Sequence, residues 1–147
     1  MDYINLSISK VNKEFFSYSV NRHKMNDIFW VILSFSPEIL EHEGVYFTTT
    51  NNIYPSCKRG IGKDAFLDMF ANPVEGKFQK LIYRNAHLDF WTTCEQAEVL
   101  YPNALSLKYL NRIYVKDLYT KHSVNGQLSA FDMNCNVIVD PDKFEIS

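Results

Sequence analysis

The sequence predicts an α+β fold, on three observations. Short segments rich in β-branched and aromatic residues recur along the chain, and amphipathic stretches are long enough only for brief helices. No repeat, and no linker rich in Gly, Pro or Ser, interrupts them. The 147 residues suit a single domain spanning 1–147, and an apolar content of 46%, with 11 Phe and 9 Tyr, is enough to fill its core.

Taken in order, Tyr3 to Ser9 alternates polar and apolar residues after Ile4, as a half-buried strand does. Asn12 is placed to cap a short helix with Phe15, Phe16 and Val20 on its buried side. The nearly continuous apolar run from Ile28 to Phe35 predicts a central strand covered on both faces. Ser36-Pro37-Glu38 predicts a brief helical turn, with a capping serine and proline at the first helical position.

Val45 to Thr50 is a further strand, and the polar stretch from Asn51 to Gly62, with its basic pair Lys58-Arg59, reads as a loop. Phe66, Leu67, Met69 and Phe70 recur at helical spacing. From Asn72 to Glu95 regular patterning is weak apart from Lys80 to Tyr83, and long irregular segments in compact domains are usually functional. Strands are expected again at Gln96–Leu100, Arg112–Val115 and Asn136–Asp140, the last stopped by Pro141, with a helical turn at Leu107–Leu110.

Composition excludes several classes of function. A formal charge of -2 gives no bulk attraction to nucleic acid or anionic lipid, so any nucleic-acid contact rests on locally placed cations. The longest apolar run, Ile28 to Leu33, is far short of a bilayer span, and the N-terminus lacks the pattern of a secretory signal. Cys57, Cys94 and Cys135 fit neither a disulfide framework nor a zinc cluster, which points to a reducing cytoplasm. His23, His42 and His122 have no spacing that suggests a metal, and are expected at the surface.

Glu98 is the most informative charged residue. It sits in the apolar context Ala97-Glu98-Val99-Leu100, and strand alternation would project it from the same face as Gln96. A carboxylate there is costly to bury unless it is paired or hydrogen bonded. Pattern alone leaves open the simpler reading, a solvent-facing strand residue.

Several blocks, in order, resemble one family. Gln96-Ala97-Glu98-Val99-Leu100-Tyr101-Pro102, then Leu107 and Arg112-Ile113-Tyr114-Val115, are similar to the C-terminal part of the DarT toxins. Tyr3 to Ile8, Trp30 to Leu33 with Pro37 to Leu40, Gly44 to Phe47 with Thr50-Asn51-Asn52, and Val139-Asp140-Pro141 match further family blocks in sequence order.

The resemblance implies an ADP-ribosyltransferase-like mixed β-sheet core with short helices. It also implies a glycosyltransferase that uses NAD as substrate, without a metal, to ADP-ribosylate a base in single-stranded DNA. The chemistry suits a strand glutamate, because cleaving the nicotinamide–ribose bond builds positive charge that a fixed carboxylate stabilises. Glu98 is then the catalytic acid, and Gln96, two residues before it, contacts the acceptor.

The resemblance makes the region from Asn51 to Glu95 the family's substrate-recognition loop, where Lys58, Arg59, Arg84 and His87 contact the substrate and Tyr54, Phe90 or Trp91 stack on bases. Asn5, Ser7, Ser9 and Lys10 are expected in the NAD cleft. The family's N-terminal block, with a histidine that helps hold NAD, has no counterpart here, so the domain is expected to be N-terminally incomplete. A family arginine after the first matched strand is met only by Lys10 and Lys13.

The implied setting is a cytoplasmic toxin of a toxin–antitoxin system, with single-stranded DNA and an antitoxin protein as partners and no membrane. The alternative is a catalytically inactive module of the same fold that binds nucleic acid or an antitoxin.

Overall fold

In the computed structural model, which describes residues Met1–Ile146, the chain begins with β1 (Tyr3–Leu6), α1 (Lys13–Arg22), β2 (Val31–Phe35) and a 3-10 turn at Pro37–Glu41. It continues through β3 (Tyr46–Thr48), β4 (Arg59–Gly60), α2 (Gly62–Asp68), and the two-residue strands β5 (Val74–Glu75) and β6 (Leu81–Ile82). The last third holds β7 (Glu98–Pro102), β8 (Leu110–Val115), α3 (Leu118–Ala130) and β9 (Asn136–Val139). Two compact units result, one from Met1–Asn12 and Leu40–Leu105, the other from Lys13–Ile39 and the residues from Ser106 onward.

The first unit is built on a four-stranded sheet in the order β1-β7-β3-β4, antiparallel throughout. β7 is interior because its side chains are apolar on both faces: Val99 is wholly buried, and Leu100 and Tyr101 are nearly so. β1 shows the alternation its sequence predicts, with Ile4 and Leu6 turned inward and Tyr3 and Asn5 outward. Phe47 packs edge-on against Phe66, and Phe66 lies tilted against Phe70, which fixes α2 on the sheet. Met69, just beyond that helix, is fully buried, and its carbonyl accepts from the Thr93 amide.

Three buried threonines follow one another at 48–50, and each hydroxyl has a partner, as burial demands. Thr48 Oγ1 donates to the Thr50 carbonyl at 2.7 Å, Thr49 Oγ1 accepts from the Lys58 amide at 3.1 Å, and Thr50 Oγ1 lies 3.3 Å from Cys94 Sγ. His42, expected at the surface, is instead half-buried, with Nδ1 2.6 Å from the Tyr101 hydroxyl. A nearly buried tyrosine needs such a partner for its O–H.

The second unit holds a three-stranded sheet in the order β2-β8-β9, with β2 and β8 antiparallel and β8 and β9 parallel. α3 connects the parallel pair and packs on it, so Ile113, Val115, Val124 and Val137 form one buried cluster. Phe16 of α1 meets Trp30 and Phe144 edge to face. Phe15, expected on the buried side of that helix, faces solvent.

The apolar run at 28–35 forms an edge strand of this sheet, not a central one, and Val31 and Leu33 are exposed. An unbroken apolar run fits either position, and periodicity alone does not separate them. α3 went unrecognised in the sequence because Gly126 and several polar residues dilute its pattern; its one local signal is Asp117, whose side chain accepts from the Thr120 amide and caps the helix.

The predicted turns at Pro37–Glu41 and Leu107–Tyr109 both form. The loop expected from Asn51 to Gly62 is interrupted by β4, which places Arg59 on a strand paired with Thr48. No helix among the described residues is long and apolar enough to cross a membrane.

Candidate active site

Glu98 opens β7, between β1 and β3. In the β1–β7 register Asn5 lies opposite Leu100, one diagonal step from Glu98 on the same face, within reach of long side chains. The Asn5 side-chain amide donates to Glu98 Oε1 at 2.9 Å. On the other side Thr48 lies opposite Glu98, and Thr48 Oγ1 accepts from the Glu98 amide at 3.0 Å. The backbone N–H of Asn52, in the turn after β3, donates to Glu98 Oε2 at 2.9 Å.

Each oxygen of the half-buried carboxylate thus has one protein donor and keeps acceptor capacity for a further one. The remaining lone pairs can accept a hydroxyl donor from a bound molecule. Asn52 Oδ1 is buried without a hydrogen-bond partner among the described residues. An unfilled buried acceptor is costly, so a ligand N–H or O–H would be well received there. In the sequence, the only signal for Asn52 is its membership of the Thr50-Asn51-Asn52 block.

Asn5 was expected to contact NAD from one face of a strand reaching Ser9. The strand ends at Leu6, and Ser9 takes a left-handed conformation at φ 58°, so Ser7 and Ser9 do not share a regular face with Asn5. Asn5 itself is engaged with Glu98. Lys10 lies with Nζ 4.6 Å from the centre of the Trp91 ring and 3.8 Å from Glu95 Oε1. Gln96 precedes the strand, in a turn closed by the Ala97 amide on the Cys94 carbonyl, so strand alternation does not govern its direction.

Among the expected substrate contacts, Lys58 is exposed and uses its backbone to pair with Thr49. Arg59 donates from Nη2 to the Asn52 carbonyl at 2.9 Å. Arg84 is turned into its own loop, with Nη1 donating to the Trp91 carbonyl and Thr93 Oγ1 and Nη2 to the Leu88 carbonyl, at 2.9 to 3.1 Å. Its guanidinium also faces the Phe70 ring at 5.7 Å. Such a clasp holds a loop in shape and leaves little of the fork for phosphate. His87 is half-buried, and its amide closes the turn on the Arg84 carbonyl. Tyr83, Leu88 and Phe90 of this loop are exposed, and Trp91 is half-buried against Phe90.

The sequence matches the family model described as "ssDNA thymidine ADP-ribosyltransferase, DarT" over residues 1–145. The chain belongs to the DarT family. Its fold is that of DarT structures: Thermus sp. 2.9 DarT in complex with carba-NAD+ aligns with a TM-score of 0.69 at 13% identity, over 98% of this chain and 74% of that one.

Thermus sp. 2.9 DarT in complex with ADP-ribosylated ssDNA gives 0.68 at 12% identity, over 98% and 69%. Thermosipho africanus DarTG in complex with ADP-ribose gives 0.58 at 14% identity, over 97% of this chain. The chain spans only 36% of that DarTG chain. No curated protein shows a significant match. As a DarT-family chain it has the expected α+β, ADP-ribosyltransferase-like fold, and among the described residues no group of three or more His, Cys, Asp or Glu is placed to hold a metal.

Proposed function

We propose that this chain transfers ADP-ribose from NAD to a base in single-stranded DNA, thymidine being the acceptor named for its family, with Glu98 as the catalytic carboxylate. The observation that carries the proposal is the fixing of both Glu98 oxygens by Asn5 and Asn52 at the start of the central strand. Glu98 accepts a hydrogen bond from a ribose hydroxyl and stabilises the positive charge that develops as the nicotinamide–ribose bond breaks. A nitrogen of the acceptor base forms the new bond to the ribose carbon, nicotinamide departs with the bonding pair, and Glu98 takes the proton released by the base.

Asn52 Oδ1, an unfilled acceptor beside the carboxylate, offers a second contact for the substrate. The clasped loop from Arg84 to Thr93 presents Phe90, beside exposed Tyr83 just before it, as stacking surfaces, while exposed Lys58 supplies charge to the DNA backbone. Gln96, His87 and Lys10 border these elements in sequence and are assigned supporting contacts to the acceptor, the DNA and NAD. Within this reading the cell compartment is the cytoplasm and the partner that restrains the activity is an antitoxin protein, in keeping with a structural relative described as DarTG.

The test is incubation with NAD and thymidine-containing oligonucleotides, read by intact mass. Gain of one ADP-ribosyl unit on single strands supports the proposal. No gain on any sequence, together with no NAD binding by calorimetry, refutes it for this chain.

A further inference from the structure

Arg59 stands on β4, opposite Thr48 of β3, and Thr48 in turn stands opposite Glu98. Its guanidinium does not extend freely into solvent. Nη2 donates to the carbonyl of Asn52 at 2.9 Å, across the turn that joins the two strands. The amide of that same residue donates to Glu98 Oε2. The turn has internal ties as well: Asn51 Oδ1 accepts from the Ile53 amide at 3.0 Å, and the Asn51 carbonyl accepts from the Tyr54 amide at 3.0 Å. Those ties shape the turn, but neither links it to a strand. Arg59 does.

A backbone donor is only as well placed as the loop that carries it, and exposed turns open at low free-energy cost. The Glu98 side chain adds rotatable bonds of its own, so its carboxylate needs fixed donors to stay in one orientation. An arginine–carbonyl bond is charge-assisted, and its planar fork holds direction better than an ammonium does.

We propose that Arg59 is a positioning residue for the transfer reaction, holding the Asn52 peptide so that its N–H fixes the Glu98 carboxylate. This rests on Glu98 being the catalytic acid. For Arg59 it replaces the phosphate-contact role that the basic pair suggests in the sequence, a role Lys58 keeps.

The two roles separate in kinetics and binding. In Arg59→Ala and Arg59→Gln, kcat at saturating NAD and DNA is expected to fall about tenfold or more, as small misplacements of a reacting group do. The Kd for a single-stranded oligonucleotide and its dependence on salt are expected to stay as in the wild type. Arg59→Lys, which keeps one charged donor for the carbonyl, is expected to recover part of the loss in kcat. A weakened Kd whose salt slope drops by about 0.7, with kcat unchanged, would be the mark of a lost phosphate contact and would overturn the proposal.

A second measurement does not depend on turnover. The Asn52 amide resonance is expected to move in Arg59→Ala in the same direction as in Glu98→Gln, since both weaken the same hydrogen bond. An unmoved resonance in Arg59→Ala overturns the proposal. Should the wild type fail to modify DNA, the enzymatic reading falls, and the resonance still decides whether Arg59 holds this contact.

Discussion

The side-chain amide of Asn5 reaches Glu98 Oε1 at 2.9 Å across 93 residues of sequence, a contact that exists because β1 and β7 are neighbours in antiparallel register. Hydrogen bonds to a charged group contribute more than neutral ones, about 1.5–3 kcal/mol. The contact therefore fixes the orientation of the carboxylate. Under the proposed function, it gives Asn5 a role toward the Glu98 carboxylate.

Asn5→Ala is expected to lower kcat about 10- to 100-fold, the scale of a misaligned reacting group, with a smaller change in KM. Asn5→Asp should be worse than Ala, because it substitutes an acceptor for the donor and sets two carboxylates together. Steady-state kinetics on the three proteins check the order. Equal activity in all three would remove Asn5 from the account.

Arg84 ties three points of its loop, the carbonyls of Leu88 and Trp91 and the hydroxyl of Thr93. Arg84→Ala should loosen the segment from 84 to 93, seen as faster amide exchange there in the absence of DNA, and should weaken oligonucleotide binding. Arg84→Lys cannot reproduce the fork and is expected to behave nearly as badly. Unchanged exchange in the loop would contradict the clasp.

Asp117 caps α3, and its hydrogen bonds from the Thr120 backbone and side chain hold its carboxyl below the ordinary value of 3.8. A carboxyl depressed on folding stabilises the folded state above that ordinary value and loses this contribution as pH falls through the depressed folded value. Asp117→Asn keeps a capping side chain without the charge. The melting temperatures of wild type and Asp117→Asn should therefore converge as the pH is lowered from 5 toward 2. A difference that is constant with pH would contradict the assignment.

Gly126 lies in the middle of α3, and a methyl group added there meets no atom within 4 Å. Gly126→Ala should stabilise the protein by about 0.5–1 kcal/mol, by helix propensity alone. Denaturant unfolding measures this directly, and a destabilisation would mean that the position is not a free helical surface.

Part of the candidate site is legible in the sequence, and the rest is hidden for physical reasons. Strand pattern alone leaves Glu98 as easily a solvent-facing residue, and it is the family resemblance of Gln96 to Pro102 that singles it out; the structure adds Asn5 and Asn52 as partners of its carboxylate. Neither partner was legible as such, since strand pairing that joins residues 93 and 46 positions apart leaves no local pattern. The hydrogen bonds of the basic residues are equally hidden: in one dimension Arg59 and Arg84 read as phosphate ligands, and the structure adds that both donate to carbonyls of nearby loops. The edge position of β2 and the presence of α3 likewise depend on which neighbours cover them, and periodicity carries no such information.

The most direct measurement is the comparison of wild type with Glu98→Gln in the presence of NAD and a thymidine-containing single strand. Glutamine keeps the shape and part of the hydrogen bonding but removes the charge. The wild type is expected to add one ADP-ribosyl unit to the oligonucleotide, and Glu98→Gln to do so at a rate at least about a hundredfold lower, with NAD and DNA affinities little changed. Modification at the wild-type rate by Glu98→Gln would contradict it.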